Sequence, residues 1–465
     1  MSGSVAVDGA ELEQTLATLL EDGVFIDGDW VESKDQDPNG EVRLIQLADV
    51  DDGVFRNRSS RFLTVAKAKD LRCTFLQPGD VLVARMPEPL GRACIFPGVG
   101  QPAVTVVDVC ILRPNPERAR PEWLVKAVNS PTFRSAMQEF VRGTTRQRIS
   151  RTNLGLLTLT VPLVEFQLSL ARLVDEVDFK RDTAARHIGV AAHAVERFRQ
   201  AILAAGCSGR LTSEWREAHD LPSARITLDR LRAGRSTGAQ RRTSVQPPDS
   251  DSLDAIPETW GWAAIGEVAE IQIGGTPSRK TAAYWGGGVP WVSSGEVANC
   301  RISRTRETIS RTGLVNSSAK MYPAGTVLIA MIGEGKTRGQ SAILDIEAST
   351  NQNVAGILPD ASVVMPEYVW CWALAQYEIT RAVGRGGNQP ALNGQKVREL
   401  AIPVPPLDEQ HEIVRRVGRF LAAADTLHVR INTAGRKVDL SSQAVLAKAF
   451  GSGLLTLHGK ASDHA

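Results

Sequence analysis

The 465-residue chain has no closely spaced cysteines. Cys73, Cys94, Cys110, Cys207, Cys300 and Cys371 are scattered, and no Cys-x-x-Cys spacing occurs. This argues against a zinc knuckle or a disulfide framework and fits a reducing compartment. The seven histidines are scattered too, without a His-Glu-x-x-His pair, so no metal ligand is expected. No apolar run reaches the ~18 residues that a membrane-spanning helix needs. The opening "MSGSVAVDGAELEQTLATLLEDG" is acidic and has no basic leader region, so no secretory signal is expected and the location expected is cytoplasmic.

Catalytic signatures are missing as well. There is no Gly-x-Ser-x-Gly elbow and no dinucleotide fingerprint ahead of a helix. An Asp/Asn-Pro-Pro-Tyr/Phe tetrapeptide, which amino-methyltransferases use to clamp a flipped base, is absent, and so is an acid-acid-lysine nuclease constellation. "AMIGEGKTRG" (330–339) carries Gly335-Lys336-Thr337, the tail of a phosphate-cradling loop, but position 330 is Ala where that loop needs Gly. A basic Gly-rich loop at a nucleic-acid surface fits it better. We expect no catalytic residue, no metal and no cofactor of the chain's own.

What is present is an ordinary globular composition, 43% hydrophobic and 23% charged, with room for two to four domains. The formal net charge is only +2, so an anionic partner must be met by local basic surface. Arginines outnumber lysines 42 to 12, a bias that GC-rich coding can produce and that also supplies forked donors for phosphates and base edges.

The strongest signal is a repeat. "LTVPLVEFQLSLARLV" (159–174) and "IPVPPLDEQHEIVRRV" (402–417) align at an offset of 243 residues, pairing Pro162 with Pro405, Gln167 with Gln410 and Val174 with Val417. Upstream, with small drifts, "RLIQLADV" (43–50) faces "PWVSSGEV" (290–297), and "QPGDVLVARM" (77–86) faces "PAGTVLIAM" (323–331). Further on, "GRACIF" (91–96) faces "GQSAIL" (339–344), and "PEWLVKAV" (121–128) faces "PEYVWCWA" (366–373). Each match is weak, but their shared order predicts two divergent copies of one unit of about 200 residues.

Each copy reads as short β-like runs with Gly and Pro turns, then a proline-bearing strand, then an acidic residue (Glu165 or Asp408) that opens a long helix. Leu168, Leu170, Leu173, Val174 and Val177, and in the second copy Ile413, Val414, Val417, Phe420 and Leu421, form apolar stripes at helical spacing. The helical patterns run to about Ala205 and Phe450 without proline, about 60 Å each if unbroken. The fold expected is therefore α+β: two β-rich domains joined by two long helices packed as an antiparallel coiled coil. The alternative has each helix folding back on its own domain. Residues 207–258 open with a helical fragment, end polar, and read as a linker.

The remaining chemistry is charge in loops. The first copy offers Arg56, Arg58, Arg142, Arg146, Arg148 and Arg151. The second offers Arg301, Arg304, Arg306, Lys336, Arg338, Gln340, Asn351, Gln352, Arg385, Asn388 and Gln389. Arg and Lys neutralise phosphates, and Arg, Asn and Gln make the bidentate contacts that read guanine and adenine edges. Any one loop could be ordinary solvated surface. Their recurrence at matching positions points to DNA.

"IPVPPLDEQHEIVRRV", "FRQAILAAGCSGRLT" (198–212), "QAVLAKAFGSGLL" (443–455) and "WGWAAIGEVAEIQIGGTPSRKTAAYWGGGVPWVSSGEV" (260–297) together resemble the type I restriction–modification specificity subunit. The likeness covers nearly the whole chain. The first copy departs from it: "VPLVEFQ" lacks the second proline and the Glu-Gln pair, and "DGVFIDGDWVESKDQ" (22–36) differs from the second copy's opening. The resemblance implies target recognition domain 1 at 1–164, spacer helix 1 at 165–206, the linker at 207–258, target recognition domain 2 at 259–407, spacer helix 2 at 408–455 and a disordered tail at 456–465. It further implies that each domain reads one half of a bipartite DNA site in the major groove, and that the helices set the gap. Two methyltransferase subunits, which bind S-adenosylmethionine and methylate adenine, would dock on the chain. So would two motor-nuclease subunits, which use ATP and magnesium, where the system has them. Alternatives are an orphan or phase-variable subunit serving modification alone, and a self-contained DNA-modifying enzyme.

Overall fold

The computed structural model describes residues 12–86, 89–140, 147–236, 245–249, 253–333, 335–383 and 392–450. The chain divides into two compact units, Met1–Gly189 with Asn432–Ala465, and Val190–Ile431.

In the first unit, the apolar runs become nine short strands: β1 Leu12–Thr15, β2 Val24–Asp27, β3 Val42–Ile45, β4 Arg61–Leu63, β5 Val81–Ala84, β6 Ala93–Ile95, β7 Ala103–Thr105, β8 Val109–Arg113 and β9 Thr158–Val161. They form a four-stranded sheet in the order β2-β8-β5-β6, a three-stranded sheet β4-β3-β7, and the pair β1-β9. Neighbours are antiparallel except β3 and β7, which are parallel. All four residues of β5 are buried, as its unbroken apolar run requires. A helix at Pro121–Asn129, with proline in its first turn, buries Trp123, Leu124 and Val128.

The second unit has the same plan with longer edges. Its strands are β10 Gly261–Ala264, β11 Ala269–Ile273, β12 Trp285–Val292, β13 Cys300–Ile302, β14 Glu307–Ile309, β15 Val327–Ala330, β16 Ser341–Leu344, β17 Ser349–Thr350, β18 Val354–Pro359 and β19 Ala401–Val404. The sheets run β11-β18-β15-β16-β13, β14-β12-β17 and β10-β19. β12 and β17 are parallel, as β3 and β7 are. Helix Pro366–Ala375 buries Tyr368 and Trp372. Their polar ends are satisfied, because Tyr368 Oη donates to Pro403 O (2.6 Å) and Trp372 Nε1 donates to Ala401 O (3.1 Å).

The long helices run Val164–Cys207 and Leu407–Phe450, each of 44 residues. Inside the second unit their apolar stripes meet. The Phe198 and Phe420 rings stack edge to face with centroids 6.0 Å apart. Arg199 is ion-paired with Asp425, and Gly206 lies against Val417 and Ile413. Positions rise on one helix as they fall on the other, so this pairing is antiparallel. Inside the first unit, Gly435 lies opposite Ile188, and Leu170 and Phe450 pack on one core.

Residues 207–258 carry more structure than a linker. Helices at Ser213–Glu217 and Ala224–Ser236 form, and Ala224 and Leu228 are buried in the second unit's core beside Trp260. The reason is legible in hindsight: Ala224, Leu228 and Leu231 keep helical spacing. Arg225 Nε caps Trp260 O at 2.8 Å, and Arg232 Nε bonds the buried Glu267 at 2.8 Å. The tail expected at 456–465 lies outside the described residues.

Candidate nucleic-acid interface

The topology gathers loops at one end of the strands in each unit. In the second unit, the segments that follow Ile273, Val292, Ala330 and Thr350 meet there. Gly275 N donates to Thr350 O (2.8 Å), Asn351 N to Val292 O (3.1 Å), Met331 N to Asn353 O (2.9 Å) and Leu392 N to Met331 O (3.2 Å). The close approach explains the Gly274-Gly275 pair: a Cβ on Gly274 would lie 2.1 Å from Thr350 Oγ1, and one on Gly275 2.3 Å from Ala319 N. In the first unit, the segments after Asp27, Ile45, Ala84 and Thr105 meet in the same way. Asp29 N donates to Thr105 O (2.7 Å), Val106 N to Ile45 O (3.2 Å) and Arg85 N to Asp108 O (2.9 Å).

Most described candidates lie on or near these loops. Arg148 pairs with Asp108 at 3.6 Å and stays 42% exposed. Arg151 opens a short helix and donates to Phe25 O at 3.4 Å. Arg56 pairs with Asp51 at 2.7 Å, and that hydrogen bond holds the Asp51 carboxyl below its usual range. Arg301 pairs with Asp345 at 2.9 Å and lies 5.8 Å from the Trp370 ring centroid. Such exposed pairs contribute at most ~1 kcal/mol and can be exchanged for phosphate. Arg58, Arg304 and Arg306 are exposed, and their side chains make no ion pair among the described residues. Lys336 is exposed on a loop pinned by Tyr377 Oη, which donates to Lys336 O at 2.6 Å. Gln340 is half-buried, and Gln352 is exposed and accepts from Thr276 Oγ1.

Two candidates do not present their ends to solvent. Arg338 is 6% exposed. Asn351 is 9% exposed and accepts from Asn353 N at 3.1 Å, a turn-building contact. Composition placed them in polar loops but could not show that the loops fold over them. Arg142, Arg146, Arg385, Asn388 and Gln389 lie outside the described residues.

Sequence reading missed the groups that hold the loops. Arg85 and Arg92 are buried. Arg85 is 3.2 Å from Asp27, and Arg92 donates to Val50 O (2.5 Å), Pro89 O (3.1 Å) and Leu47 O (3.1 Å). Arg279 stacks 3.6 Å from the Trp285 centroid and is clamped by both Glu307 oxygens, at 2.5 and 2.9 Å. Its hydrogen bond holds the Glu307 carboxyl below its usual range.

The repeated junction has a physical basis. Gln410, fully buried at the start of the second long helix, donates from Nε2 to Val363 O (2.9 Å) and Pro405 O (2.8 Å), and accepts on Oε1 from Met365 N (2.8 Å). Gln167, equally buried, donates to Arg118 O (3.1 Å) and Pro162 O (3.0 Å) and accepts from Arg120 N (2.7 Å). In each unit one amide thus ties the helix start to the strand before it and to the residues leading into the proline-started helix. Beside Gln410, the buried Glu409 accepts from Thr212 Oγ1 (2.7 Å), Arg216 Nη1 (2.5 Å) and Trp260 Nε1 (2.8 Å). The first copy has Phe166 at the matching place.

Comparison with known proteins points to one family. Residues 257–434 match the type I restriction modification DNA specificity domain. The Escherichia coli EcoDI specificity subunit is 24% identical over 324 residues, 69% of this chain and 68% of that protein. The E. coli EcoBI specificity subunit is 24% identical over 376 residues, 78% of this chain and 72% of that protein. The Methanocaldococcus jannaschii MjaIX specificity subunit is 31% identical over 173 residues, 36% of this chain and 39% of that protein. The crystal structure of the HsdS subunit from Thermoanaerobacter tengcongensis superposes with a TM-score of 0.53 at 16% identity, covering 96% of this chain and 98% of that one. Residues 257–434 thus carry the likeness to the DNA specificity domain, and type I specificity subunits are similar to this chain over most of its length. A further solved structure, from a study of type I R-M complex assembly and conformational transition, gives a TM-score of 0.66 at 17% identity over 95% of this chain and 98% of that one. Both superpositions establish the shared α+β fold. The relatives are named as specificity subunits of type I restriction enzymes.

Proposed function

We propose that this chain is a specificity subunit of a type I restriction–modification system, a non-catalytic component that reads a bipartite DNA site, with one half assigned to each β-rich domain. Domain 1 would be residues 1–164 and domain 2 residues 259–407, with spacer helices 165–206 and 408–455 packed as an antiparallel coiled coil that fixes the gap. The reading rests above all on the paired Gln167 and Gln410 junctions, which make the same three backbone contacts where a recognition domain would meet its helix. The matching parallel strand pairs β3-β7 and β12-β17 support descent of both units from one duplicated segment. The exposed arginines at the strand ends supply donors for phosphates and guanine edges. Two half-sites about one to two helical turns apart suit such helices, at ~3.4 Å per base pair. The chain would dock two methyltransferase subunits that carry S-adenosylmethionine and methylate adenine. Motor-nuclease subunits using ATP and magnesium would join where the system encodes them.

The test is to co-express the chain with its methyltransferase partner in an unmodified host and to map methylated adenines across the genome. A split motif with a fixed unspecified gap is expected. Soluble, associated proteins that leave no split motif would overturn the reading.

A further inference from the structure

One device recurs in both units. After β3, residues Leu47–Asp49 form a single helical turn, and after β12, Ser294–Glu296 form another. The third residue of each turn is a carboxylate that caps its own turn. Asp49 accepts from Gln46 N at 2.8 Å, and Glu296 accepts from Ser293 N at 3.0 Å and Ser293 Oγ at 2.8 Å. Each carboxylate then reaches across to the backbone of a second loop. Asp49, wholly buried, accepts from Arg58 N and from the amide and hydroxyl of Ser59. Glu296 accepts from Arg306 N at 2.8 Å.

The two loops held this way both read Arg-x-Arg: Arg56-Asn57-Arg58 and Arg304-Thr305-Arg306. The residue between the arginines is tied down as well. Asn57 sits at φ +50° and accepts from Arg43 Nη2 at 3.0 Å, and Thr305 Oγ1 donates to Glu307 O at 2.7 Å. The backbone is thus fixed on both sides while all four arginines remain exposed, Arg56 with its pairing to Asp51. A surface loop with no task has no need of a buried or shared carboxylate devoted to its amides, because water would satisfy them.

We propose that Asp49 and Glu296 are positioning residues that set the pairs Arg56/Arg58 and Arg304/Arg306 against DNA, one pair for each half-site. This rests on the bipartite reading above and names the groups that carry it. The carboxylate acts through geometry: a fixed Cα track holds two forked cations at a spacing suited to neighbouring phosphates or to a phosphate and a guanine edge.

Chemistry separates this role from a general need for a folded loop. In Glu296→Gln, the amide oxygen satisfies Ser293 and keeps the turn capped. The new NH2 group then faces the Arg306 N–H, donor against donor, so only the cross-loop clamp opens. The assembled complex of full chain and methyltransferase is compared, wild type against E296Q, R304A and R306A, on duplexes carrying the cognate site, each half scrambled in turn, or both halves scrambled. E296Q is expected to lose about tenfold in discrimination at one half-site, the same half that R304A and R306A weaken. The other half-site, binding to fully scrambled DNA and the melting temperature should stay unchanged. Asp49→Asn should do the same at the opposite half, and if it fails to fold, E296Q carries the test alone. Equal loss at both half-sites, or an unaffected E296Q where R306A is impaired, overturns the proposal. A wild-type complex with no half-site preference removes the bipartite reading itself, and this proposal with it.

Discussion

At the scale of single residues, each junction glutamine satisfies three backbone groups at once. Gln410→Ala leaves two buried carbonyls and one buried amide without partners, and each such group costs about 1–3 kcal/mol. The expected result is faster hydrogen exchange at the Met365 amide and a lower urea midpoint for the second unit. Gln410→Glu should be worse at neutral pH, since it turns a carboxylate oxygen toward two carbonyls. Two other groups make stability depend on pH. Burial raises the Asp29 carboxyl to about 6, against the opposing hydrogen bond from Thr74 N. Its folded pKa is raised, so its neutral form is favoured on folding, and that stability is present at acid pH and lost as pH rises from ~4 through ~6. Asp29→Asn should therefore raise the melting temperature at pH 8 more than at pH 4. Glu412 is lowered to about 2, first by its hydrogen bond from Arg415 and also by Arg416. Its contribution is present above ~4.5 and lost as pH falls toward 2. Glu412→Gln should flatten the acid limb of a melting curve taken between pH 5 and pH 2.

At the scale of elements, the helices were legible because their stripes are long and free of proline, and their ends fell close to those observed at Cys207 and Phe450. Helix Ala224–Ser236 was obscured by the polar stretch that follows it, although its apolar spacing is regular. Composition found the arginine-bearing loops but not the carboxylates that organise them. Ser293-x-x-Glu296 is a capping-box spacing that could have been read, while Gln46-x-x-Asp49 gives no such cue. The same limit placed Arg338 and Asn351 on the surface, because burial depends on which neighbouring segment folds over a loop. Within the second unit, Gly206 sits where the two helices come close: a Cβ there would lie 3.2 Å from Val417 and 3.3 Å from Ile413. Gly206→Leu should cost about 1–3 kcal/mol by overpacking, read as a drop in the unit's denaturation midpoint. On the bipartite reading proposed above, deleting four residues from one of the long helices should alter the unspecified gap in the methylation map and leave both half-sites intact. An unchanged gap would dissociate the helices from the spacing.

At the scale of the whole molecule, a net charge of +2 conceals two separate sets of exposed arginines, several balanced by a carboxylate of their own unit. Exchange of those carboxylates for DNA phosphate should make binding steeply dependent on salt. An arginine that contacts phosphate should, when replaced by alanine, reduce the slope of log K against log salt by about one, whereas one that reads only a base edge should leave it unchanged. Arg304→Ala and Arg306→Ala, titrated at several salt concentrations, distinguish the two roles.

The glutamine clamp has one more consequence. Every partner of Gln167 and Gln410 is a backbone carbonyl or amide. The fastening is therefore indifferent to the side chains of the domain it holds. A foreign recognition segment that brings its chain to the same curve would be accepted without compensating changes in the helix. Selection could then exchange what is read while the frame that reads it stays fixed, much as a tool holder accepts any bit with the right shank.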